Sequence, residues 1–319
     1  MAKYSVKLDE TSHLDRLVNE TGKASVLINR FGCETIGYRI FDKKRNRELA
    51  LLHRDGQAEA PQAGWKNHAT VLFPIVGGLK DNKSRLGDQV ISSPGLHGFA
   101  RKSMFALVDS ETKGRAALHY RLSANAETRK FYPFEFQLDI TYSLQGSALT
   151  AAFAVGNLEH KQDLYYCFGW HPGFRTPVID GLGTKMGCQV LFKKGTYKSY
   201  LVNDDCKLLG KTEEIQLAGP LQTTEQELQR TILLEIEERE NRTCTVRDPQ
   251  AGLNLEVDFK DFPHLGLWSD VGCNFICIEP WQGMDDHEQQ EPFDKKVGIM
   301  KLEPGGVDRR SITVTPRFK

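Results

Sequence analysis

Residues 134–144 alternate strictly between apolar and polar. Phe134, Phe136, Leu138, Ile140 and Tyr142 fall on one side, with Glu135, Gln137, Asp139 and Thr141 on the other. A helix would scatter these apolar groups around its circumference. A strand puts successive side chains on opposite faces, so the pattern predicts a half-buried strand. Gln145-Gly146-Ser147 is a turn and 148–155 runs back, which predicts a hairpin. Further strand-like segments follow the same punctuation at 23–29, 38–41, 47–53, 70–76, 116–122, 164–170, 189–193, 231–237, 243–246, 253–259, 274–278 and 311–315. Helix signals are few. Thr224-x-x-Glu227 is a capping box for a turn or two at 225–229. Many short strands with few helices predict an all-β, mostly antiparallel sandwich. No linker, repeat or compositional break divides the chain, so 1–319 is read as one domain.

Charge and composition exclude several classes of function. Lys+Arg and Asp+Glu both number 42, so the formal charge is zero. A binder of nucleic-acid backbone needs a basic surplus, and none is present. The N-terminus has no apolar leader segment, and the best apolar stretch, 71–76, contains Pro74 and is far too short to span a bilayer. Seven scattered cysteines read as reduced thiols. The expectation is a cytoplasmic protein with no nucleic-acid or membrane partner, as a monomer or homodimer.

The familiar catalytic motifs are missing. No Gly-x-Gly-x-x-Gly, Walker lysine loop or Gly-x-Ser-x-Gly elbow occurs. His287-Glu288-Gln289-Gln290-Glu291 comes near a zinc-protease helix but lacks the second histidine. Cys273-x-x-x-Cys277 reads as core filling rather than a metal clip. No metal and no cofactor are expected.

Three segments remain. Pro94-Gly95-Leu96-His97-Gly98-Phe99-Ala100-Arg101 puts a histidine and an arginine in a glycine-flanked loop, where backbone can approach a ligand closely. A capping histidine and a solvated arginine are the structural alternative. Phe168-Gly169-Trp170-His171-Pro172-Gly173-Phe174 reads as a strand end turning at Pro172-Gly173, with His171 at its mouth among aromatics. In Phe275-Ile276-Cys277-Ile278-Glu279-Pro280-Trp281, strand parity puts Glu279 on the face of Cys277 and Phe275. A carboxylate on such an apolar strand is costly unless it is paired or used. Trp281 offers a flat surface for a sugar ring, or a core filler.

These segments occur in order with Leu72-Phe73-Pro74-Ile75-Val76-Gly77 and Phe262-Pro263-His264-Leu265-Gly266-Leu267-Trp268. Together they resemble the aldose 1-epimerase (galactose mutarotase-like) superfamily, most closely its LacX-type branch, over nearly the whole chain. The resemblance implies a β-supersandwich whose open cleft binds a monosaccharide or sugar phosphate without cofactor or metal. Carried over by motif, Glu279 takes the role of general base on the anomeric hydroxyl. His171 takes that of general acid on the ring oxygen, and His97 assists. Arg101 would contact a hydroxyl or phosphate, while Trp281 and Trp268 would flank the cleft. Where the family often carries an arginine after Phe-Pro-x-Val-Gly, this chain has Gly77-Gly78-Leu79-Lys80, so Lys80 is the substitute. The family aspartate that grips sugar hydroxyls has no confident match.

The residue types suit the reaction. Opening a pyranose hemiacetal removes a proton at O1 and delivers one to the ring oxygen. Rotation about C1–C2 and closure on the other face reverse the roles. Reference pKa values of about 4.3 for glutamate and 6.5 for histidine leave one charged and the other partly protonated near neutrality, and a carboxylate neighbour raises the imidazolium fraction. The expected activity is therefore aldose 1-epimerisation. A carbohydrate-binding or regulatory protein using the same cleft is the alternative. A glycosidase would need a second carboxylate opposite Glu279, for which Asp286 and Glu303 are the nearby candidates.

Overall fold

The computed structural model describes residues 3–57, 59 and 64–319. Strands dominate, and every paired strand in a ladder is antiparallel. A 14-stranded sheet forms the body, and a 5-stranded meander from Tyr4–Lys7 to Arg47–Ala50 packs beside it. The expected all-β, antiparallel sandwich is therefore present. The alternation at 134–144 produces Phe136–Gln145, paired with Ala148–Asn157 from Phe136 opposite Asn157 to Gln145 opposite Ala148. Its even-numbered side chains are buried in one continuous core that runs from Leu17 to Val314. The capping box at Thr224 forms as read, with both reciprocal hydrogen bonds to Glu227, and starts the helix Glu225–Gln229.

One end of the large sheet carries the strands that matter here. Ala69–Leu72, Phe168–Arg175, Phe275–Gln282 and His264–Trp268 lie side by side in that order. The expected sharp turn at Pro172-Gly173 does not occur. The strand continues to Arg175, with His171 in its middle. Glu279 likewise lies inside its strand. The ladder between these two strands pairs Gly169 with Trp281 and Gly173 with Cys277, but no pair forms in between. Pro172 and Pro280 supply no N–H, so the rungs fail where His171 faces Glu279.

Several strand readings change in extent, two of them most. The 164–170 segment divides into Leu164–Tyr166, paired with Met300–Leu302, and Phe168–Arg175 in the main sheet. The 189–193 segment extends to Gln189–Val202, and Leu208–Pro220 pairs along it as a long arm. That second strand has no alternation to read. Apart from a bridge between Leu208 and His287 it pairs on one side only, and most of its length is exposed. The arm's turn, Asn203 to Lys207, folds back towards the strand end that carries Glu279.

Candidate active site

His171 and Glu279 project from neighbouring strands into a cleft of about 400 Å³. His171 Nε2 lies 3.0 Å from Glu279 Oε2. The contact is short but does not form a hydrogen bond, and both Glu279 Oε2 and the ring's other nitrogen, His171 Nδ1, are buried without a partner. Trp281 Nε1, on the same cleft wall, is a third buried polar atom without one. Buried polar atoms left unpaired each cost roughly 1–3 kcal/mol, and their cluster at one cleft marks where a polar ligand would satisfy them.

Local backbone explains the placement of His97. Its peptide N–H donates to Gly77 O (2.7 Å), and its Nδ1 accepts the Gly77 N–H (3.1 Å). The ring's remaining proton therefore sits on Nε2. Gly98, at φ +73°, follows so closely on Phe73 that a Cβ there would lie 2.3 Å from the Phe73 carbonyl oxygen. Gly77, at φ +67°, is bound in the same way, since a Cβ would lie 2.2 Å from the Asp285 carboxylate. The His-Gly and Val-Gly pairs of the sequence thus meet through the His97–Gly77 hydrogen bonds, while each glycine makes room for a different neighbour.

Electrostatics in the cleft follow from burial. His97 is pushed down to about 3 by burial, then by Arg101 and Lys207. It stays neutral at all ordinary pH and can only donate from Nε2. Burial also drives His171 well below the usual imidazole range, aided by His97 and Arg101. This reverses the expectation that its carboxylate neighbour would raise its protonated fraction. Glu279 is raised well above the usual carboxylate range by burial, with Asp285 adding to the rise and Arg101 opposing it. Burial thus moves the pair towards sharing one proton with no net charge.

Arg101, at the cleft wall, makes no ion pair or hydrogen bond among the described residues. Trp268 and Trp281 line the cleft as read. Lys80 does not. Its side chain is exposed and outside the lining, because the Gly77-Gly78 turn leads it away and its N–H is tied to Asp286. The cation nearest this turn is Lys207 from the arm, 3.5 Å from both Gly78 O and Asp285 Oδ1.

Neither carboxylate weighed for a glycosidase faces Glu279. Asp286 is buried in an ion pair with Lys296 and Glu303 is exposed. The second carboxylate in the cleft is Asp285, buried and holding the Gly78 N–H at 2.7 Å. Trp65 was also missed. Its ring stacks on His171 with centroids 4.9 Å apart, and it meets Trp268 edge-on at 5.7 Å. Trp65 lies in a stretch without periodicity, and Asp285 in an irregular segment, so neither carried a pattern to read. One signal existed for Asp285: the Gly77-Gly78 pair needs a close neighbour, and this is it.

The only candidate metal donors that cluster among the described residues are His171, Cys277 and Glu279, one ligand atom of each lying within 4.8 Å of the others. A larger depression of about 550 Å³ lies between Phe41 and Phe318. Its one acidic side chain, Asp42, is taken by Arg45, and none of its lining side chains has an unpaired buried polar atom. The unpaired chemistry is in the smaller cleft.

The profile of the family described as Aldose 1-epimerase matches residues 16–292. The chain belongs to the aldose 1-epimerase family. Within this family it is 28% identical over 278 residues to the plasmid-borne protein LacX of Lactococcus lactis subsp. lactis, covering 79% of this chain and 86% of LacX. This places it in the LacX-like branch. A solved galactose mutarotase related enzyme from Lactobacillus acidophilus superposes with a TM-score of 0.82 at 26% identity, covering 93% of this chain and 96% of that one. A galactose mutarotase-like protein from Lactobacillus casei ATCC 334 gives 0.79 at 25% identity, covering 95% and 100%. The epimerase family and the mutarotase neighbours mark an isomerase-type enzyme.

Proposed function

We propose that the protein interconverts the α and β anomers of an aldose or aldose phosphate by acid–base ring opening and closing. The observation that carries this reading is the His171–Glu279 pair, buried and 3.0 Å apart, with Glu279 Oε2 and His171 Nδ1 lacking hydrogen-bond partners. Ring opening starts with the pair's one proton on His171: Glu279 accepts the O1 proton and His171 delivers its own to the ring oxygen, leaving the proton on Glu279, where burial favours it. After rotation about C1–C2 the two act in reverse. One proton on the pair is the requirement for this exchange, and burial favours that total. His97 Nε2–H donates to a sugar oxygen without transferring its proton. Arg101 donates to a hydroxyl or phosphate, and Trp268 and Trp281 hold the apolar face of the ring. Asp285 supplies the hydroxyl-accepting carboxylate for which the sequence offered no match.

The reading takes 1–319 as one functional unit, which the continuous core supports. It also takes the enzyme to be cytoplasmic, in keeping with the absence of any helix among the described residues long and apolar enough to cross a membrane. The test follows anomerisation of freshly dissolved α-glucose, α-galactose and their 6-phosphates by polarimetry or one-dimensional NMR. Acceleration that Glu279→Gln abolishes is expected, and the fastest sugar names the substrate class. No acceleration with sugar still bound would replace the enzyme with a carbohydrate-binding protein.

A further inference from the structure

Strand alternation brings a third reactive group under the acid–base pair. Cys277 lies two residues before Glu279 on the same strand face and is fully buried. Its neighbours Ile276 and Ile278 join the main hydrophobic cluster, whereas Cys277 belongs to neither cluster. Opposite it stands Gly173, where a Cβ would meet the Trp65 ring at 2.6 Å and Cys277 Sγ at 3.4 Å. Cys277 is a buried core residue, as expected from the sequence, but it lies on the face that carries Glu279. One ligand atom from each of His171, Cys277 and Glu279 lies within 4.8 Å of the other two. Glu279 Oε2, nine-tenths buried or more, has no hydrogen-bond partner.

We infer that His171, Cys277 and Glu279 form a three-ligand site for a borderline-soft divalent cation, Zn²⁺ foremost, whose binding blocks the acid–base pair. Bond lengths of about 2.0 Å to nitrogen and oxygen and about 2.3 Å to sulfur set tetrahedral donors roughly 3.3–3.6 Å apart. His171 and Glu279, at 3.0 Å, need open only slightly. The thiol, with the three donor atoms within 4.8 Å of one another, closes by at most about 1.3 Å to reach that spacing. Imidazole, thiolate and carboxylate are the mixed donor set that suits zinc. Zinc with one thiolate, one carboxylate and one neutral imidazole carries no net charge, which limits the cost of burying it beside Arg101. On coordination the thiol proton leaves to solvent, as does any proton on Glu279. The fourth position opens to the cleft. Binding holds the lone pairs that proton transfer needs, so the metal acts as an inhibitor.

The test reads binding apart from turnover. Cadmium added to the full chain is expected to give one equivalent of thiolate-to-metal charge-transfer absorption in the ultraviolet. Cys277→Ser and Glu279→Gln should each weaken this binding at least tenfold. Cys277→Ala repeats the thiol test without placing a hydroxyl in the core. Absence of the band in folded wild-type protein overturns the site, and so does a band at full strength in both Cys277 variants. In the anomerisation assay, Zn²⁺ should lose at least tenfold potency against Cys277→Ser. Cadmium binding without any anomerisation in the wild type would sink the activity reading and leave the site standing.

Discussion

Replacing Glu279 by glutamine separates catalysis from stability in a single variant, Glu279→Gln. The amide keeps the shape of the side chain but can neither accept a proton nor become charged. Loss of one general acid–base group typically costs about 10²–10⁴-fold, or roughly 3–5 kcal/mol of transition-state stabilisation. Stability should move the other way. Glu279 is 1% exposed, and burial raises its pKa well above the usual carboxylate range. Above pH 4.5 the unfolded chain releases the proton that the native chain keeps. The native state then binds more protons than the unfolded one, so wild-type stability falls as pH rises through this window. Glutamine removes that slope. The variant should gain on the wild type by about 1.4 kcal/mol per pH unit, from the unfolded value near 4.5 up to the native pKa of Glu279. Urea or guanidinium unfolding at pH 5, 6 and 7 measures the gap, and polarimetry measures the rate. A gap that does not change with pH would refute the buried, proton-holding carboxylate. Unchanged turnover would remove Glu279 from the mechanism.

His171→Asn should slow anomerisation by a similar factor and strip one limb from the pH–rate profile; a retained bell shape would assign the second proton to another group. Arg101→Ala should weaken a sugar 6-phosphate far more than the free sugar, read as KM for each, because the guanidinium has no protein partner among the described residues. Equal losses would make it a hydroxyl contact. Lys296→Ala should cost about 3–5 kcal/mol of unfolding free energy, because it strands Asp286 in a pair whose two side chains are each 2% exposed. Restoring that loss with Asp286→Asn in the same chain is the expected companion result; a loss under about 1 kcal/mol would mean that water reaches the pair.

Much of the site was legible because its residues sit on strands with clear parity. Glu279, Trp281 and Cys277 share a face by simple alternation, and the structure keeps them on one side of Phe275–Gln282. His97 and His171 stood out through their glycine and proline neighbours. What those neighbours do was misread in one case. Pro172-Gly173 looked like a turn, but Pro172 instead interrupts a ladder while its strand runs on. Lys80 was placed by its position after the glycines, yet a two-residue turn is enough to send a side chain out of a cleft. Lys207, which stands near that place, comes from a turn more than 120 residues downstream. Trp65 and Asp285 lie in irregular segments, where no period marks the facing side.

The sequence by itself determined the fold class, the register-bearing strands and the strand face on which Glu279 lies. These follow from local rules: alternation chooses strand over helix, turn residues set the hairpins, and parity chooses a face. Tertiary structure decided which distant groups share the cleft and in what charge state. The 3.0 Å approach of His171 to Glu279, the fixed tautomer of His97 and the Asp285–Lys207 pair all depend on contacts between segments far apart in the chain. Burial then set the proton affinities, and burial belongs to the packed assembly rather than to any one stretch of sequence.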